Sequence, residues 1–265
     1  MTVDELIAET LTDATSTGPR ALIARSVHWL QHGTRLAGSP QVFRNRYILI
    51  RCESAFGVCA VDAGVVDEEI IELSGTPIAD LLADHRLPVR VAALDAYLGA
   101  VSPHRHDARA QRIVLPAGTP DERAVARDKA IADLLEITPG QRVALIGVVN
   151  PLVAAIRERG GECLPCDLTL DQTQWGDPVD RDMNRVVDQA DSVLATGMTL
   201  GNGSFDRLRE RCAERSIPLT IYAQTGAAVA RAFLGNGVRA VSAEPFPLSQ
   251  MSAEETALYL YPRQS

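Results

Sequence analysis

Lysine is nearly absent from this 265-residue chain: its 26 basic residues include one lysine, Lys129, and all the others are arginine. Schiff-base chemistry requires a lysine amine, so covalent carbonyl catalysis has a single candidate residue. An excess of positive charge is also lacking. The formal net charge is −8, which disfavours a binder of nucleic-acid backbone. No apolar run approaches the roughly 18 residues of a membrane span. The opening MTVDELIAET is acidic where a secretory signal would be basic and then apolar. The expectation is therefore a cytoplasmic protein with neither nucleic-acid nor membrane partners. Five cysteines, an odd number in apolar surroundings, make a disulfide framework an unsuitable reading. No G-x-S-x-G hydrolase elbow occurs.

What is present is an ordinary globular composition, 46% hydrophobic and 23% charged, long enough for one large α/β domain or two modest ones. The first hundred residues read as α+β. An amphipathic helix over residues 3–8 precedes strands at 21–30, 47–52 and 56–61, and helices follow at 78–84, with Thr76 as N-cap and Pro77 as the N1 proline, and at 89–101, opened by Pro88. Residues 102–119 change character and read as a linker, and Thr119 caps a helix over 121–136. From residue 140, short apolar strands (142–146, 162–165, 192–196, 219–223 and a closing 238–242) alternate with helical patterns. That alternation predicts a parallel sheet covered on both faces, a Rossmann-like half. The division is 1–110 and 111–265.

Ligands in such sheets bind beyond the carboxyl ends of strands, which singles out four segments. Gly147-Val148-Val149-Asn150-Pro151 follows the first strand with one glycine where a dinucleotide fingerprint has three. Asn150 caps the next helix or faces a ligand there. Asp167 ends the second strand, where an acid can accept from ribose hydroxyls or simply meet solvent. The third segment, Ala195–Ser204, holds three glycines among small polar residues in a connection that needs two to six. Thr196, Gly197, Thr199, Asn202, Gly203 and Ser204 are its candidate ligand contacts. Gln224-Thr225-Gly226 is the fourth, with Thr225 the candidate. The Cys163-Leu-Pro-Cys166 pair lies on a strand and its end, unlike a redox pair at a helix N-terminus, and reads as buried small hydrophobes.

Three stretches resemble the family of putative heavy-metal chelation proteins: VALIGVVNPLV from Val143, ADSVLATGMTLGNGS from Ala190, and the strand ending at Gln224-Thr225-Gly226. Fainter matches are Phe56-Gly57-Val58-Cys59-Ala60 and the stretch from Val91 to Leu98. The chain departs from the family pattern at Met198, Ser204 and Asp95. The resemblance implies an enolase-N-terminal-like α+β domain followed by the Rossmann-like domain, with a pocket between them. In one reading that cleft binds a divalent metal or metal chelate, with Glu53, Asp95 and Asp167 as oxygen ligands. In a second, the chain is an enzyme using S-adenosylmethionine or another nucleoside-bearing small molecule in specialised-metabolite biosynthesis. Asp167 would then take the ribose, and Asp95 or Tyr97 the acid–base chemistry. A scaffold with a vestigial pocket is the third, and a homodimer is compatible with any of them.

Overall fold

A computed structural model describes residues 1–34 and 42–263 of the chain. It opens with helix α1 (Val3–Leu11), held by a capping box between Thr2 and Glu5. Strands β1 (Ala24–Thr34), β2 (Phe43–Cys52) and β3 (Ala55–Ala60) then pair antiparallel in that order. Helices α2 (Ile78–Leu82) and α3 (Leu87–Val101) follow. Most of α3 is buried and apolar all round, which suits a helix enclosed between two layers. It lies directly against β3. A Cβ on Gly57 would stand 2.1 Å from the Ala92 carbonyl oxygen, so only glycine permits this approach.

Strand β4 (Gln111–Leu115) and helix α4 (Pro120–Asp133) lead into the alternating half. That half comprises β5 (Arg142–Ile146), α5 (Asn150–Glu158), β6 (Glu162–Cys166), α6 (Met183–Gln189) and β7 (Ser192–Thr196). It continues through α7 (Met198–Gly201), α8 (Phe205–Glu214), β8 (Leu219–Ala223), α9 (Ala227–Ala232), β9 (Ala240–Ala243) and β10 (Thr256–Tyr261). The sheet order is β4-β10-β9-β8-β7-β5-β6, with β6, β5, β7, β8 and β9 parallel and β10 antiparallel to both neighbours. One apolar core runs through both halves, joining Ile50, Ala92 and Leu94 to Ala195, Leu200, Val229 and Phe233.

The α/β class and the parallel sheet agree with the sequence pattern. Three local expectations do not. The supposed linker contains β4, an edge strand of the large sheet. The series does not close at residue 242, because β10 returns antiparallel between β9 and β4. Thr76 does not cap α2, whose N-cap is Pro77 with no side-chain bond. No described helix is long and apolar enough to cross a membrane.

Candidate functional site

The parallel strands run in the order β6-β5-β7-β8-β9, so the chain reverses direction across the sheet between β5 and β7. That reversal is where open α/β sheets usually bind ligands. Here the polar groups at that edge are occupied by the protein itself. The Asp167 carboxylate accepts from the Val148 amide (2.9 Å) through Oδ2. Its Oδ1 accepts from the Thr169 amide and hydroxyl (both 2.8 Å) and the Leu170 amide (3.2 Å). A carboxylate has about four acceptor positions, so a ribose would have to displace these bonds. Gly147, at φ +83°, donates to the Cys166 carbonyl and accepts from the Tyr222 hydroxyl at 2.6 Å. Asn150 is not the cap of α5. It lies in the helix, its side chain accepts from the Gln174 amide, and Val149 holds the N-cap position.

The glycine-rich segment after β7 forms a single helical turn, α7, wedged into the seam between the two sheets. A Cβ on Gly201 would fall 2.6 Å from the Cys59 sulfur and 2.8 Å from the Ala60 carbonyl oxygen of β3. One on Gly197 would fall 2.2 Å from the carbonyl oxygen of Thr225, which is itself buried. Thr199 is buried and donates to the Thr196 carbonyl at 2.8 Å. Asn202 accepts from the Ser204 amide and hydroxyl, Gly203 turns the chain at φ +78°, and Ser204 makes no side-chain cap to α8. Gly201 therefore serves close packing of one half on the other, and Gly197 close packing within the Rossmann-like half.

A cleft of about 340 Å³ opens elsewhere, beyond the carboxyl ends of β8 and β9. One wall is the β2–β3 turn and α3, contributing Phe56, Val58, Asp95 and Gly99. The other is Gln224, the Pro245-Phe246-Pro247 segment and the first residues of β10. The Phe56 and Phe246 rings approach to 5.0 Å between centroids across this junction. His104, Arg105, Glu255 and Tyr259 complete the polar lining.

Asp95 lies in the cleft wall, 4% exposed, and joins the halves. It accepts from the Val58 amide of β3 at 2.9 Å and from the Ala228 amide of α9 at 2.7 Å. Burial raises its pKa to about 6, although the Val58, Ala228 and Val229 amides and the Arg231 charge pull the other way. A carboxyl so placed can hold a proton near neutrality. His104 is held neutral, its pKa brought down to about 3 by burial and by Arg231. Arg105 and Glu255 are exposed at the rim and form no ion pair among the described residues.

Of the candidate contacts named from sequence, Asp95 lines this cleft, together with Gln224 of the fourth segment; Thr225 does not. Tyr97 is on the same helix but turns away, donating to Asp13 at 2.8 Å. Burial and Asp13 push its phenol up to about 12. Glu53 sits at φ +48° in the β2–β3 turn and pairs with Arg25 at 3.1 Å. Asp167 lies three strands from β8, roughly 14 Å at ordinary strand spacing. The proposed oxygen set of Glu53, Asp95 and Asp167 is not brought together, and no group of three or more His, Cys, Asp or Glu among the described residues could hold a metal. Direct coordination by the set of Glu53, Asp95 and Asp167 does not fit, since they are apart and both Asp95 oxygens already hold backbone amides. The cysteine pair on β6 is buried, with both thiols pushed up to about 12 by burial.

Sequence reasoning passed over Phe246, Glu255 and Tyr259, placed Phe56 only in a faint family match, and put His104 and Arg105 in a linker without metal-ligand spacing. A usable signal was the proline-flanked Phe246 immediately after a parallel strand, where ligand-facing loops occur.

The family model DUF364, described as "Putative heavy-metal chelation", matches residues 130–242. No curated protein matches the chain. A protein of unknown function from the same family in Desulfitobacterium hafniense is similar in structure, with TM-score 0.61 and 14% identity, over 91% of this chain and 85% of that one. A second, from Pyrococcus horikoshii, gives TM-score 0.60 and 14% identity over 97% of each chain. Residues 130–242 are thus similar to the DUF364 model, and over nearly its whole length the chain has the fold of two solved members of that family.

Proposed function

We propose that the chain is a small-ligand-binding protein whose interdomain cleft takes a metal chelate, an organic molecule that carries its metal with it. The observation that supports this most is the cleft itself. Its volume is within the range of small-molecule sites, and it presents aromatic rings beside polar groups the fold has left uncommitted. The family description supports a metal, and the scattered donors favour one that arrives already ligated. A flat ligand would lie against Phe56 and Phe246, with its polar end toward His104 and Arg105. The S-adenosylmethionine reading draws no comparable support, because its ribose acceptor, Asp167, is fully engaged.

Thermal denaturation with bis(picolinato)zinc, picolinate, zinc chloride and S-adenosylmethionine tests the reading. The complex is expected to raise the melting temperature of the wild type and to lose most of that effect in the Phe56→Ala, Phe246→Ala double variant. A shift with zinc chloride alone, abolished by EDTA, would establish direct coordination instead. A shift with S-adenosylmethionine that disappears in Asp167→Ala would move the site to the β5–β7 edge.

A further inference from the structure

One ring in the cleft wall has one of its nitrogens engaged by the fold beneath it. His104 is 6% exposed, begins the short 3-10 turn His104–His106, and stacks on Tyr259 at 5.6 Å between centroids. Its Nδ1 lies 2.7 Å from the hydroxyl of Tyr261, the last residue of β10. The buried Arg231 guanidinium stands 3.8 Å from Asp107, and its charge acts on both the Tyr261 phenol and the His104 ring. A positive guanidinium acting on the phenol oxygen favours the orientation in which Tyr261 turns its lone pairs toward that charge and gives its own proton to His104 Nδ1. A neutral imidazole that accepts at Nδ1 carries its hydrogen on Nε2. Burial and the Arg231 charge keep the ring neutral, with its pKa near 3. With Nδ1 turned inward and the ring lining the cleft, the Nε2 hydrogen is presented to whatever enters. Arg105, the next residue, also lines the cleft and has no ion pair among the described residues. A neutral donor beside a free guanidinium matches the two oxygens of one carboxylate.

We propose that His104 Nε2–H and Arg105 form a subsite that selects ligands carrying a single carboxylate. Asp95 and Glu255 line the same cleft, so polyanions are disfavoured and a mono-carboxylate ligand, free or wrapped around a metal, is the class that fits. This inference rests on the cleft being the binding site, and it goes further by naming the group the ligand must present and the tautomer that reads it.

The test compares picolinate with 2-methylpyridine, the same flat ring without the carboxylate, using imidazole nitrogen NMR and titration on the full chain. His104 is expected to show a protonated Nε2 whose resonance moves with picolinate and not with zinc chloride. The wild type is expected to prefer picolinate by about tenfold or more, that is, by at least about 1.4 kcal/mol. That preference should vanish in Arg105→Met, which touches an exposed side chain. It should also vanish in His104→Phe and persist in part in His104→Gln, whose amide can donate. A proton found on Nδ1 would overturn the assignment. If picolinate perturbs Phe56 and Phe246 while its preference survives in both Arg105→Met and His104→Phe, the subsite is wrong and the cleft stands. If neither compound perturbs those rings, the cleft reading fails with it.

Discussion

The two carboxyl edges of the large sheet differ in what their polar groups are doing. At the β5–β7 reversal, Asp167 and Asn150 bond neighbouring backbone, and Gly147 is bridged by Tyr222. At the β8–β9 edge, the packing of α3 and β3 against α9 leaves a cleft whose lining includes two charged residues without ion pairs among the described residues. The comparison teaches that strand-order geometry marks where a ligand could approach, whereas uncommitted donors and acceptors mark where one would be recognised. The cleft also depends on a buried acid, Asp95, that ties the halves together, so part of its chemistry is architecture.

The largest effect should come from removing that tie. Asp95→Ala leaves the buried Val58 and Ala228 amides without acceptors, at about 1–3 kcal/mol each. A loss of about 2–4 kcal/mol is expected in urea unfolding, together with loss of ligand response. Little loss would show that the two halves hold together without it.

The pH dependence follows from the same residue. The folded pKa of about 6 lies above the usual 3.8, so the folded state holds the proton more tightly than the unfolded chain. Asp95's contribution is therefore fully present below about pH 4 and declines as pH rises through about 6, by about 3 kcal/mol. Stability measured against Asp95→Asn from pH 4 to 7 isolates it, and a flat difference would contradict the assignment.

Asp167→Ala should cost less, about 1–2 kcal/mol, since the amides it releases lie on an edge loop that water can reach. It should leave the response to bis(picolinato)zinc unchanged, which separates the two edges directly. Arg105→Met should change stability by no more than about 0.5 kcal/mol while weakening carboxylate ligands. The smallest expected signal concerns the thiols. Five buried cysteines should react negligibly with a thiol-specific dye in native protein at neutral pH and fully after unfolding. Rapid native reaction at Cys163 or Cys166 would restore a redox reading of that pair.

The parallel half was legible because each β–α unit carries its own hydrophobic period and punctuation, as in 142–146 followed by a proline-opened helix and Gly160-Gly161. Strands β4 and β10 were not, because they pair antiparallel with each other across more than a hundred positions, outside the repeating β–α units. Of the site, Asp95 could be picked out through its place in a family-like stretch on α3. The 196–204 loop misled because glycine is demanded equally by a ligand and by close packing, and sequence alone does not tell a free surface from Cys59 and Ala60 of another layer. His104 stood in a segment read as linker. Its meaning comes from Tyr261, 157 residues away.

The central claim is that the ligand is held between the two halves and not at the strand reversal. Calorimetric titration of bis(picolinato)zinc into the wild type, Phe56→Ala/Phe246→Ala and Asp167→Ala tests it most directly. The account predicts equal affinity for wild type and Asp167→Ala and at least a tenfold loss, about 1.4 kcal/mol, in the double variant. Undiminished binding by the double variant, with loss in Asp167→Ala, would contradict it.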